Sequence, residues 1–108
     1  MKKLIAGLQL VPSIACAEYF SGNKLLEKMR SESAVDRAVA IGYVLGVSDT
    51  TQDDKHCSGD TVTSGQTRDV VKKFLEDNPA IRDYSADIIT QVALGKTWPC
   101  KEKKGSKL

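Results

Sequence analysis

Two cysteines, Cys57 and Cys100, constrain this chain more than any other pair of residues, because they are the pair that remains once the N-terminal segment is set aside. That segment has the three-part pattern of an export signal. Met1-Lys2-Lys3 is a short positive start, Leu4 to Ala15 is mostly apolar, and Ala15-Cys16-Ala17 places small residues at the −3 and −1 positions of a cleavage site. Residues 1–17 are therefore expected to be a signal peptide cleaved after Ala17, with the mature protein in the periplasm. Acylation of Cys16 is an alternative processing route: Ile14 and Ala15 suit it, whereas Ser13 stands where a lipobox has Leu, Val or Ile. Cys16 leaves with a cleaved signal, and in an oxidising compartment the even pair left behind reads as one disulfide. The bridge closes a loop of about 44 residues, which the chain-entropy estimate makes a contribution of about 4 kcal/mol. A domain of about 90 residues buries only about 60–65% of its unfolded surface, so a constraint of that size matters.

Length and charge narrow the rest. A chain of 108 residues with 41% apolar and 28% charged residues is expected to hold one folded domain, here 18–100, followed by a basic tail, 101–108. No apolar run reaches the roughly 18–20 residues of a membrane span. Lys2 and Lys3 account for two of the 16 basic residues, so the mature chain has 14 against 14 acidic ones. That balance offers nothing to nucleic acid. The tail carries Lys101, Lys103, Lys104 and Lys107 and reads as a solvated end. Its final Ser106-Lys107-Leu108 matches a peroxisomal address, which export would override, and is read as coincidence.

Periodicity places four helices and no strand. Asn23 is expected to cap a helix over about 24–30 with Leu25, Leu26 and Met29 on one side. Ser33 opens the second, with Asp36 in its first turn. Val35, Ala38, Val39, Gly42, Tyr43, Gly46 and Val47 fall on one face of it, Ile41, Val44 and Leu45 widen its apolar surface, and this helix is expected to be the central, most buried one. Gly42 and Gly46 are expected to line a groove where another helix or a ring packs closely. A polar stretch, Ser48 to Thr63, follows and reads as a solvated loop. Thr63 and Gln66 form a capping box for the third helix, with Val70, Val71, Phe74 and Leu75 as its stripe and Asp77-Asn78-Pro79 as its end. Ser85 is expected to cap the fourth, which buries Ile88, Ile89, Val92 and Ala93 and stops at Gly95. A bridge between Cys57 and Cys100 makes the last two helices an antiparallel hairpin with Trp98 packed at the bridged end. The expected fold is all-α, a small bundle of about four helices closed by one disulfide.

Little catalysis can be built from these residues. His56 is the single histidine. Its neighbour Cys57 is better explained by Cys100 than by a Cys–His pair, and adjacent loop residues rarely aim at one reacting atom. His56, Cys57 and Cys100 are one ligand short of a closed zinc site. Asp49, Asp53 and Asp54 share a loop, but the calcium-loop spacing with its glycine and terminal glutamate is absent. No glycine-rich phosphate loop follows a strand. The chain is therefore not expected to be an enzyme, to hold a metal or to need a cofactor.

Gly42-Tyr43-Val44-Leu45-Gly46-Val47-Ser48-Asp49, Cys57, Thr63-Ser64-Gly65-Gln66, Val70-Val71-Lys72-Lys73-Phe74-Leu75, Asn78-Pro79, Ala93-Leu94 and Trp98-Pro99-Cys100 follow in that order. This series, across about residues 34–100, resembles the Rap/Tai family of immunity proteins. The resemblance implies a small exported helical protein that binds and blocks a peptidoglycan amidase delivered by type VI secretion. Gly42, Tyr43, Gly46, Thr63, Gln66 and Trp98 then belong to the scaffold. The contact surface is sought in the loop between helices three and four, at Asp77, Asn78, Arg82, Asp83 and Tyr84, since Arg and Tyr are frequent interface anchors. A homodimer is left open. The alternatives are an acid-stress chaperone of the HdeA type, likewise small, exported, helical and disulfide-closed, and an exported helical protein of another role.

Overall fold

A computed structural model of the chain describes residues 20–101. The expected signal segment, and the tail beyond Lys101, lie outside the described residues. Four helices make the fold: α1 (Gly22–Met29), α2 (Ala34–Thr51), α3 (Ser64–Asp77) and α4 (Ala86–Thr97), with a 3-10 turn at Pro79–Ile81 between the last two. Among the described residues the only β-pairings are two isolated bridges, Ser21 with Ser85 and Gln52 with His56. Each helix sends residues into one core: Leu25, Leu26 and Met29 from α1, Ala40 and Val44 from α2, Val71 and Leu75 from α3, and Ala86, Ile89, Ala93 and Leu94 from α4. Burying a side chain the size of Leu contributes about 1.5–3 kcal/mol, so a core this small depends on every element.

The first helix begins earlier than its sequence suggests. Ser21, not Asn23, is the cap, its hydroxyl accepting from the Lys24 N–H at 3.2 Å. The reason is tertiary. The N–H groups of Gly22 and Asn23 donate to the carbonyls of Tyr84 and Arg82 at 3.0 and 2.8 Å, so the α3–α4 connection supplies acceptors that the local sequence lacks. Gly22 is needed there, because a β-carbon would stand 2.5 Å from Ile89 Cδ1 and 3.0 Å from the Arg82 carbonyl oxygen.

The second helix is not the most buried one: it turns only one side of its wide apolar surface inward. Ala40, Val44, Ser48 and Thr51 point inward. Val35 is 71% exposed, Val39 is 48% exposed, and a β-carbon on Gly42 or Gly46 would meet nothing within 4 Å. The expected close-packed groove at these two glycines is therefore not present among the described residues. Apolar residues surround most of α2, so periodicity alone could not choose between its two faces. Tyr43 does sit at a packed seam, half-buried with its ring edge-on to Phe20 at 4.7 Å. Burial, and then the nearby Asp87 carboxylate on α4, push its hydroxyl above the usual tyrosine range.

The third helix follows its sequence. Thr63 and Gln66 form the capping box, and Thr67, Val71 and Leu75 are buried with Val70 and Phe74 packed beside them. The fourth does so in part. Ser85 occupies the cap position, yet its hydroxyl bonds the Asp87 carboxylate instead of a backbone N–H. Ile89 and Ala93 are buried as expected, together with Ala86, Thr90 and Leu94. Ile88 and Val92, expected inside, are 52% and 41% exposed. Gly95 does not end the helix, which continues to Thr97.

The disulfide is formed between Cys57 and Cys100, with α-carbons 4.8 Å apart. It ties the approach to α3 to the exit from α4 and so closes the base of an antiparallel hairpin. Beside the bridge, the Cys57 N–H donates to the Trp98 carbonyl at 2.8 Å. The fold is thus an all-α bundle of four helices with one disulfide.

Candidate functional site

The hairpin's open end carries the residues singled out for partner contact. Asp77 is exposed and accepts from Lys73 Nζ at 3.1 Å, one turn earlier on α3. Asn78 ends α3, with both its backbone N–H and its side-chain Nδ2 donating to the Phe74 carbonyl, at 3.1 and 2.8 Å. Arg82 folds back over the same helix end. Its Nε donates to the Leu75 carbonyl at 2.7 Å and its Nη2 to the Glu76 carbonyl at 3.3 Å. A guanidinium there satisfies carbonyls the helix leaves open and complements its dipole. Arg82 and Asn78 therefore hold the loop's shape. Asp83 and Tyr84 face outward, with Tyr84 57% exposed while its backbone carbonyl anchors α1. The loop is a rigid bracket that presents one tyrosine ring.

That ring begins a longer apolar strip. Tyr84 stands in the loop just before α4, Ile88 and Val92 lie one turn apart on the exposed side of that helix, and Val35 and Val39 lie one turn apart on α2. These five are the exposed large apolar side chains among the described residues. The strip was missed because the sequence reading put Ile88 and Val92 in the core.

The hairpin's other end holds the protein's buried polar cluster. The segment read as a solvated loop tucks His56 inward until its side chain is 0% exposed. His56 Nε2 lies 3.3 Å from Ser48 Oγ, and Nδ1 lies 3.3 Å from Thr51 Oγ1. The Thr51 hydroxyl already donates to the Val47 carbonyl at 2.8 Å, so its oxygen is left to accept. The Nδ1 hydrogen therefore goes to Thr51, and Ser48 donates its hydrogen to Nε2. Burial pushes the imidazole below the usual histidine range, outweighing the opposing pull of Asp53. A Ser–His pair is also the start of a nucleophile–base arrangement. Here the imidazole's second partner is a neutral hydroxyl, and a fully buried ring has no surface on which to meet a substrate. The arrangement is a clamp. Its signal lay in the sequence: Ser48 and Thr51 continue the Ala40–Val44 stripe, and buried hydroxyls there require a polar partner.

Two further clefts are polar. One of about 600 Å³ lies along α1, lined by Lys24, Lys28, Arg30, Asp36 and Arg82. Lys28 pairs with Asp36 at 3.8 Å and Arg30 with Glu76 at 3.4 Å, so its charges are largely matched internally. The other, about 440 Å³, opens beside Ser48 and Thr67. Among the described residues no group of His, Cys, Asp and Glu could hold a metal ion, and no helix is long and apolar enough to cross a membrane.

The model of the Rap1a immunity proteins matches residues 21–100 of this chain. The chain belongs to the Rap1a immunity protein family. The match opens on Ser21, the cap of α1, and closes on Cys100, the second half of the disulfide, so every helix of this Rap1a protein lies inside it. Comparison with the curated proteins finds no match. Family membership gives the protein a toxin-immunity role, in which it binds a toxin partner as an inhibitor. Thr63, Gln66, Tyr43 and Trp98 have scaffold positions in this fold, as a cap, a ring seam and a hairpin contact.

Proposed function

We propose that this Rap1a protein is exported, matures by cleavage after Ala17, and protects the periplasm by occluding a peptidoglycan amidase toxin delivered by type VI secretion. The observation that carries this reading is the family match across residues 21–100. The disulfide supports an oxidising destination, since such bridges persist outside the cytosol. Inhibition by occlusion needs a rigid element that fits a cleft, because ordering a mobile loop on binding subtracts from affinity. The Asp77–Tyr84 bracket meets that need. Its backbone is fixed to α1, its ends belong to a disulfide-closed hairpin, and it presents Tyr84 at the head of the Ile88–Val92 strip.

The test is a binding and inhibition assay between the mature protein and the amidase encoded beside it. Stoichiometric inhibition is expected, and Tyr84→Ala is expected to weaken binding at least about fivefold, the equivalent of 1 kcal/mol. A wild-type protein that neither binds nor inhibits overturns the amidase assignment. Undiminished inhibition by Tyr84→Ala, with unchanged circular dichroism, overturns the loop as the contact.

A further inference from the structure

The segment from Gln52 to Cys57 is pinned at its far end by the disulfide to Cys100, and between α2 and that bridge His56 carries its buried side-chain bonds to the bundle. Asp53, in the left-handed region with φ 68°, turns the chain so that its N–H reaches the His56 carbonyl at 2.7 Å. The ring is anchored to α2 through Ser48 and Thr51. The far side of the segment lies against the last turn of α4, with the Lys55 carbonyl over Gly95 and the Cys57 N–H on the Trp98 carbonyl.

We propose that His56 is an acid-operated latch, in which a proton on the ring reverses the Ser48 bond, leaves a full charge buried among neutral hydroxyls, and lifts the Gln52–His56 stretch from the end of α4 about the fixed Cys57–Cys100 bridge. The neutral ring fits because it accepts from Ser48 and donates to Thr51. A protonated ring donates at both nitrogens. Ser48 must then turn its hydrogen away, and a full charge is left at a site with 0% exposure. The charged groups around the ring are poor compensation. Asp53, Asp54 and Lys55 on its own segment, Asp49 on α2 and Lys96 on α4 are all exposed, and Arg68 on α3 is paired with Asp69 at 2.8 Å. Asp53 is the one whose charge favours the proton, and burial outweighs it.

The sign follows from linkage. A histidine that titrates below its free value when docked binds fewer protons docked than released. Docking is therefore complete above about pH 6.5 and is lost as pH falls. Between the released and docked values the open population rises about tenfold per pH unit.

Because His56 is the chain's single histidine, its ring can be followed without ambiguity in the untagged mature protein. Nuclear magnetic resonance between pH 7.5 and 4.5 reads the ring, and hydrogen exchange reads the amides of Asp53 and Cys57. The ring is expected to titrate below 6.5. From about pH 6.5 down to the ring's own titration the two amides are expected to lose protection about tenfold per pH unit, after correction for intrinsic exchange, while those of Leu25 and Leu75 stay protected. Titration at or above 6.5, or constant protection of the two amides through the titration, overturns the latch. His56→Gln, which keeps a donor and an acceptor but does not titrate, is expected to abolish the acid opening, and its persistence in this variant also overturns the latch. The wild-type measurement decides the matter whether or not the variant folds.

Discussion

Gly95 of α4 passes so close to Lys55 that a β-carbon on the glycine would sit 2.9 Å from the lysine's carbonyl oxygen. The neighbour is backbone and cannot swing aside as a side chain would. In an exposed helix Gly→Ala is favourable by about 1 kcal/mol. At this position the clash reverses the sign. Gly95→Ala is expected to lower the urea midpoint and to weaken protection of the Cys57 amide, whose bond to Trp98 depends on the same approach. A midpoint above that of the wild type would refute this account of the contact.

Gly42 and Gly46 are the internal control. Both are in a helix, and both would accept a β-carbon in open space. Gly42→Ala and Gly46→Ala are each expected to raise stability by up to about 1 kcal/mol, read as a shift of the urea midpoint without a change in slope. Destabilisation of either would show that the glycine packs against something.

Thr90 is buried in α4 with 0% exposure, and among the described residues its Oγ1 finds no hydrogen-bond partner. A buried hydroxyl without a partner costs about 1–3 kcal/mol on mutational scales. Thr90→Val keeps the shape and removes the hydroxyl, so a gain of about 1 kcal/mol is expected on chemical denaturation. A loss of similar size would mean that the hydroxyl is bonded in solution.

Arg82 and Tyr84 sit two residues apart and are expected to fail differently when truncated. Arg82→Ala removes bonds to two α3 carbonyls, so about 1–3 kcal/mol of stability should go. Tyr84→Ala removes an exposed ring and should leave the melting temperature nearly unchanged. Calorimetry on the two variants separates them. An equal fall for both would contradict the division of the loop into bracket and contact.

Reduction of the disulfide frees a loop of about 44 residues in the unfolded chain, with an expected stability loss of up to about 4 kcal/mol. Cys57→Ser should match the reduced protein. Identical melting temperatures for oxidised and reduced protein would show that the bridge constrains neither state.

Where the sequence was legible, the signal was local. Thr63 and Gln66 cap α3 because two side chains three residues apart exchange bonds with each other's backbone, and no other element is consulted. The disulfide was legible because Cys57 and Cys100 are the pair left once the expected signal segment is set aside. The loop between α3 and α4 was legible as a turn, from Asn78-Pro79. Its division of labour was not, since the carbonyls that occupy Arg82 belong to a helix end whose position depends on the turn itself.

By itself, then, the sequence determined four helices, three of their N-cap positions, the bridge that makes a hairpin of α3 and α4, and a family pattern that the match over residues 21–100 bears out. Tertiary structure decided which face of α2 and of α4 lies inside. For α2 and α4 that choice was hidden, because apolar residues lie on both sides and hydrophobicity alone has no direction. The choice fell to contacts distant in sequence: Gly22 against Ile89, Gly95 against Lys55, and a histidine that two buried hydroxyls required. Those contacts turned Val35, Val39, Ile88 and Val92 outward, giving an immunity protein an exposed apolar surface that no local pattern announces.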